Sequence, residues 1–163
     1  MGDDTMKKSK IHWLNLIVSI MFSLGVGALS SILTKDYYNT YSSIIKPTLS
    51  PPSIVFPIVW SILYILMGIS SYIVYSSHSR SKYSALTIYV IQLVFNGLWS
   101  IVFFNMHRYL LSFIVLITLW ILILSMVYRF KQIDRLSGIL QIPYLLWVTY
   151  AGYLNFSIYI LNR

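Results

Sequence analysis

Tryptophan side chains inside long apolar runs are the residues best suited to bind a ligand in this sequence. Trp60 lies four residues before Tyr64, and Trp147 lies four before Ala151, with Leu154 following. Residues four apart share one face of a helix, so this spacing predicts two helices that each present an aromatic face. A flat apolar molecule could stack between such faces. Packing between helices is the competing interpretation, and the residues alone favour it.

Amide side chains form a second candidate set. Gln92 and Asn96 are four residues apart, and Trp99 and Phe103 continue the same helical face. Polar groups at membrane depth are costly and usually face protein or a cavity. We therefore expect Asn96 to make a hydrogen bond between helices, with a direct ligand contact as the alternative.

Residues for conventional catalysis are missing from the sequence. It contains no Cys, and its three His residues lie at or near the ends of apolar runs. No carboxylate lies in the centre of such a run, and no Gly-rich phosphate loop is present. These features argue against thiol chemistry, proton-coupled pumping, NTP-driven activity and a metal site. We expect no conventional catalytic residues and no obligatory cofactor, while an uncoupled carrier remains open.

The composition indicates a membrane protein. Of 163 residues, 58% are hydrophobic and 10% are charged, against about 25% charged in a typical soluble domain. The mean hydropathy is +0.74. The net charge of +8 suggests nucleic-acid binding, but the Lys and Arg residues lie in short clusters between apolar runs. That pattern is typical of loops at a membrane surface, so we expect lipid and not nucleic acid as the partner.

Five stretches reach the roughly 20 residues that a helix needs to cross a bilayer. The sequence thus predicts an all-α membrane protein, a single transmembrane domain over residues 1–163 built as a five-helix bundle. The predicted helices cover about 11–33, 54–75, 83–104, 109–128 and 136–161.

The distribution of basic residues predicts the orientation. The amino tail and the second and fourth loops carry twice as many Lys and Arg residues as the opposite side. The positive-inside rule then places the amino terminus in the cytoplasm. The first loop, 34–53, is the longest, and its prolines make it either a plain connector or a binding lid.

Small residues recur every four positions along the first stretch, at Ser19, Ser23, Gly27 and Ser31. This spacing lets helices approach closely. Packing inside the bundle is favoured over a dimer contact.

Three motifs together resemble the TspO/MBR family, also called translocator proteins, tryptophan-rich sensory proteins or peripheral benzodiazepine receptors. Residues 46–68 read KPTLSPPSIVFPIVWSILYILMG, residues 92–104 read QLVFNGLWSIVFF, and residues 143–155 read PYLLWVTYAGYLN. Their order and spacing also resemble the family. Two positions depart from it, because Thr40 and Leu49 stand where the family often has an aromatic residue.

The resemblance implies a five-helix bundle whose first loop folds over a ligand pocket. It also implies a homodimer in a bacterial cell membrane that binds protoporphyrin IX, haem, sterols or isoquinoline carboxamides. The ligand-binding residues that the resemblance implies are Tyr41, Pro51, Pro52, Trp60, Tyr64, Asn96, Trp99, Trp147, Tyr150, Ala151 and Leu154. Phe103, which lies on the same helical face as Gln92 and Asn96, is a further candidate.

Three functions are consistent with these features. The first is porphyrin sensing, transport or sequestration. The second is light- and oxygen-dependent porphyrin degradation, with Trp60 and Trp147 as the reacting side chains. The third is passive carriage of small apolar molecules.

Overall fold

The computed structural model describes residues 11–34 and 41–163, and within these ranges the fold is helical without strands. The all-α prediction is therefore confirmed. The helices are α1 (Trp13–Leu33), α2 (Val55–Ser76), α3 (Lys82–Ser100), α4 (Tyr109–Ile133), the short α5 (Arg135–Ile139) and α6 (Ile142–Leu161). A π-helical turn, Ile101–Asn105, extends α3.

Four of these helices are long and apolar enough to cross a membrane, namely α1, α2, α3 with its π-helical extension, and α4. Helix α6 has 20 residues but is not among them. The Tyr, Trp and Asn side chains along α6 lower its hydropathy. A fifth membrane span is thus not established by length and hydropathy alone.

The prediction of one continuous helix over 136–161 is wrong. The chain forms α5, turns at Leu140 and Gln141, and then begins α6. Pro143 lies in the first turn of α6, where a missing N–H does no harm. In a continuous helix its ring would clash with the carbonyl of Ile139. Asp134 fixes the start of α5, because its carboxylate accepts a hydrogen bond from the Ser137 N–H at 2.9 Å.

Two other boundaries differ from the prediction. Helix α4 continues past residue 128 to Ile133, because Phe130 is completely buried and keeps the inward face of the helix continuous. The π-helical turn carries the third stretch to Asn105, and the chain then reverses through His107 with a φ of 53°.

The bundle is built from close helix pairs, with α1 against α2, α3 against α4, and α4 against α6. At the first pair, a Cβ added to Gly68 would lie 2.5 Å from the Ile20 Cα, so only glycine allows this approach. Ser23 is buried and hydrogen-bonds the Tyr89 hydroxyl at 2.6 Å. The small residues of α1 thus serve internal packing at Ser23 and also at Gly27, whose Cβ would meet the Tyr64 ring.

The segment after α1 is attached to the end of α6. Asn162 exchanges two hydrogen bonds with the backbone of Ile45, both at 2.9 Å, and the Tyr150 hydroxyl donates to the Leu49 carbonyl at 2.6 Å. The Tyr41 hydroxyl donates to the Pro51 carbonyl at 2.7 Å. Burial raises the pKa of Tyr41, which favours the protonated phenol that makes this bond.

Several residues used in the sequence predictions lie outside the described ranges. They are Lys7, Lys8, Lys10 and Lys35, which enter the orientation, and Thr40 in the first loop. The cytoplasmic amino terminus therefore stays a prediction.

Candidate ligand cavity

A cavity of about 540 Å³ lies between α1, α2 and α3. Its volume falls within the roughly 300–1,000 Å³ range of small-molecule sites. The lining residues are Leu24, Gly27, Ala28, Ser30, Ser31, Thr34, Phe56, Pro57, Trp60, Ser61, Tyr64, Asn96, Trp99, Ser100 and Phe104. None of these lining residues is charged, so within the described part of the chain the site is apolar with hydroxyl and amide groups.

Two indoles form the aromatic wall of the cavity. The ring centroids of Trp60 and Trp99 are 6.5 Å apart at an interplanar angle of 34°. Tyr64 lies 5.6 Å from Trp60 on the same helix, and Phe104 meets Trp99 edge-on at 6.1 Å. The π-helical turn positions Phe104. Such tilted and edge-on arrangements are the favourable geometries for aromatic rings.

The α1 side of the cavity is made mostly of small residues, with Leu24 as the exception. Gly27 lies against the Tyr64 ring, and Ser30 and Thr34 are buried and supply hydroxyl oxygens. The Asn105 side chain donates to the Leu33 carbonyl and thereby joins the end of the π-helical turn to the end of α1. These α1 residues and the indoles on α2 and α3 together enclose the cavity.

The rim of the cavity is open. Four lining residues are exposed, and all of them lie on α1 or α2: Ala28, Ser31, Pro57 and Ser61.

A buried hydrogen-bond chain stands behind the aromatic wall. The Tyr64 hydroxyl donates to the Asn96 carbonyl oxygen at 2.8 Å, and the Asn96 amide donates to the Tyr144 hydroxyl at 3.0 Å. The Tyr144 hydroxyl in turn donates to the Gln92 carbonyl oxygen at 2.8 Å. The chain joins α2, α3 and α6, so the expected interhelical role of Asn96 is confirmed, and Asn96 also lines the cavity.

Replacing Asn96 by leucine should lower the free energy of unfolding by about 1–3 kcal/mol, because the Tyr64 hydroxyl would lose its acceptor. Unfolding in mixed SDS micelles measures this loss. Asn15→Leu is the matched control, since Asn15 is exposed on α1. Equal stability of the two variants would show that the chain of hydrogen bonds contributes nothing.

The structure divides the predicted site residues into four groups. Trp60, Tyr64, Asn96 and Trp99 line the cavity. Tyr41, Trp147 and Tyr150 form a second aromatic cluster together with Phe56, which was not predicted and also lines the cavity. Phe103, Ala151 and Leu154 are buried but do not line the cavity, while Pro51 accepts the Tyr41 hydrogen bond and Pro52 is exposed.

The second cluster adjoins the cavity through Phe56. The Phe56 ring lies 5.3 Å from Tyr41 and 5.8 Å from Trp147, and Trp147 lies 5.6 Å from Tyr150. The Trp147 indole nitrogen is buried and has no hydrogen-bond partner among the described residues. On α6 the Trp60 ring meets Tyr144 at 6.0 Å, while Trp147 meets Phe56, so these described contacts do not pair the two indoles directly.

Sequence reasoning missed most of the α1 wall, the π-helical Phe104 and the buried Tyr144. Gly27 stands in the small-residue stripe, but nothing in that stripe distinguishes a cavity wall from a packing seam. Phe56 lies within the 46–68 motif, so the resemblance gave a weak indication that it belongs to the site.

Comparisons with known proteins all point to one family. The model of the TspO/MBR family matches residues 18–161. The tryptophan-rich sensory protein of Cereibacter sphaeroides is 35% identical over 147 residues, covering 90% of this chain and 91% of that protein. Protein CrtK of Rhodobacter capsulatus is 40% identical over 124 residues, covering 75% and 78%. The translocator protein of Ovis aries is 26% identical over 125 residues, covering 75% and 74%.

Proposed function

The chain is a membrane protein of the TspO/MBR family, and from this premise we propose that its α1–α2–α3 cavity binds flat aromatic molecules of the porphyrin class. The observation that carries the proposal is the pair of indoles, Trp60 and Trp99, on one wall of a neutral cavity of about 540 Å³. A flat ring would cover these indoles and face the small residues of α1.

The polar groups of the cavity orient such a ligand. A porphyrin ring is apolar, but its carboxylates need water or hydrogen-bond donors. The hydroxyls of Ser30 and Ser31 line the cavity near the end of α1, whereas the Thr34 hydroxyl already donates to the Ser30 carbonyl at 2.8 Å. We place the carboxylates at this end and the ring against Trp60.

The proposal includes a fifth membrane span formed by α6. Its 20 residues give a helix of about 30 Å, which matches the thickness of the hydrocarbon core. The polar side chains that lower its hydropathy point partly inward, because Tyr144 and Asn155 are buried and hydrogen-bonded. The described part of the predicted lid, 41–53, is held to α6 by Tyr150 and Asn162. It contributes no lining residue and meets the cavity through the contact of Tyr41 with Phe56.

Tryptophan substitutions test the site. In the dark, protoporphyrin IX should quench tryptophan fluorescence saturably, and Trp60→Ala should weaken binding about tenfold through loss of ring contact. Trp99→Ala should have a similar effect. Trp120→Ala is the matched control, because Trp120 is a half-buried tryptophan that hydrogen-bonds Thr149 away from the cavity.

Trp147→Ala decides between the two aromatic clusters. If ligand occupies the α1–α2–α3 cavity, this variant should bind porphyrin nearly as well as the wild type. A large loss with Trp147→Ala and none with Trp60→Ala would move the site to the second cluster. Absence of saturable binding in the wild type would refute the proposal.

A second candidate is photo-oxidative porphyrin breakdown at the same site. The contacts of Trp60 with Tyr64 and Trp99 favour it, because a radical formed on one oxidisable ring could delocalise to its neighbour. Under illumination in air, the protein should degrade bound porphyrin faster than an equal amount of free tryptophan does. Equal rates would remove this candidate.

A further inference from the structure

A second cavity, of about 470 Å³, lies between the start of α3 and the end of α4. It is at the opposite end of the bundle from the first cavity, because α3 begins at Lys82 and the first cavity is lined by residues near its end. We call it the α3–α4 groove, and it is lined by Ser81, Ile88, Ser125, Tyr128, Arg129 and Gln132.

Arg129 is the cationic group of the groove. Its Nη1 donates to the Ser84 hydroxyl oxygen at 2.9 Å, which carries the guanidinium from α4 across to α3. A guanidinium has five N–H donors, so most remain for another acceptor. Asp134 is the only acidic residue in the described part of the chain, and its carboxylate already caps α5. No described carboxylate therefore neutralises Arg129.

Neutral donors surround this charge. The hydroxyls of Ser125 and Tyr128 and the amide of Gln132 line the same groove, together with the Ser81 hydroxyl, which is bonded to that of Ser79 at 2.9 Å. The neighbouring Lys82 is engaged elsewhere, because its Nζ donates to the carbonyls of Tyr75 and Ser77 at the end of α2. The groove thus offers one planar cation and several hydroxyls. This combination suits a phosphate, which accepts paired N–H bonds from a guanidinium.

The depth of the groove indicates where the phosphate comes from. It lies where two candidate membrane spans, α3 and α4, begin and end, and the ends of spans of this length are expected at the level of the lipid headgroups. Exposed Tyr128 suits this interface. Ile88, further along α3, provides an apolar contact beside the polar groups. Basic pockets between membrane helices bind the headgroups of anionic lipids in this way.

We propose that the α3–α4 groove binds a phosphate group, supplied by the headgroup of an anionic phospholipid, with Arg129 as the principal contact. This site is independent of the porphyrin cavity. Free phosphate has the same oxyanion chemistry, and the experiment separates the two sources.

Native mass spectrometry of the full-length protein in detergent tests the proposal. Phosphatidylglycerol should bind with about tenfold higher affinity than phosphatidylcholine, whose choline cation offsets the charge of the same phosphate. Arg129→Gln should remove this preference, as expected for loss of a charge-assisted hydrogen bond. Arg135→Gln is the matched control, since Arg135 is exposed at the start of α5 on the same side and does not line the groove.

The outcomes are distinct. Binding of phosphatidylglycerol that inorganic phosphate displaces at millimolar concentration would support a phosphate site but assign it to the free anion. Equal retention of phosphatidylglycerol by Arg129→Gln and Arg135→Gln would overturn the proposal. Elution of both variants as the folded wild-type species, with unchanged protoporphyrin titrations, establishes that any difference comes from the groove.

Discussion

Gly68→Ala should lower the free energy of unfolding by up to about 3 kcal/mol, near the upper end of the range for overpacking a well-packed contact. The added Cβ would lie 2.5 Å from the Ile20 Cα and 2.9 Å from its backbone nitrogen. Backbone atoms cannot rotate away as a side chain can, so α1 and α2 must separate. The change should appear as unfolding at a lower SDS fraction in mixed micelles.

Gly25→Ala is the internal control for this prediction. A Cβ at Gly25 would meet no described atom within 4 Å. Alanine is favoured over glycine in a helix by about 1 kcal/mol, so this variant should be as stable as the wild type or more so. If Gly68→Ala also proved neutral, the close contact between α1 and α2 would be incorrect.

Gly27→Leu should weaken protoporphyrin IX binding about 10- to 100-fold, and it should also lower the free energy of unfolding, because the Tyr64 ring that it displaces is bonded to Asn96. Gly27 faces the Tyr64 ring, and both residues line the cavity. A leucine side chain there would push Tyr64 aside and occupy ligand space. A loss of 10- to 100-fold in affinity corresponds to about 1.4–2.8 kcal/mol. Titration by tryptophan fluorescence measures it.

Two further variants isolate the steric cause. Gly25→Leu adds the same side chain two residues away, in open space, and should bind porphyrin normally. Tyr64→Ala combined with Gly27→Leu removes the ring that the leucine meets and should recover part of the affinity. A double variant no better than Gly27→Leu alone would show that the loss does not arise at the Gly27–Tyr64 contact.

The helices were predictable because apolar run length is a strong signal in a chain with so few charges. Their ends were less so. The break before α6 depends on where the ring of Pro143 would lie relative to the carbonyl of Ile139. The inward burial of Phe130, which carries α4 to Ile133, is likewise a property of the packed bundle. The length of an apolar run predicts neither the break before α6 nor the extension of α4.

The site was predictable along single helices and not between them. The spacing of Trp60 with Tyr64, and of Asn96 with Trp99, correctly placed each pair on one face, and all four line the cavity. Whether Trp60 and Trp147 face each other depends on how the helices are rotated, which the sequence does not give. In the structure Phe56 lies beside Trp147. The α1 side of the cavity was not predicted, because small residues also occur where helices pack closely.

The exposed rim of the cavity on α1 and α2 has a consequence for how affinity is expressed. Where α1 and α2 cross a membrane as these candidate spans would, a ligand that enters between them past Ser31 and Ser61 would arrive from the lipid phase. Occupancy then follows the mole fraction of ligand per lipid, not its concentration in water. Adding empty vesicles or more detergent would dilute the ligand and lower occupancy at constant total concentration. Two membranes that dissolve a porphyrin unequally would load the same protein to different extents.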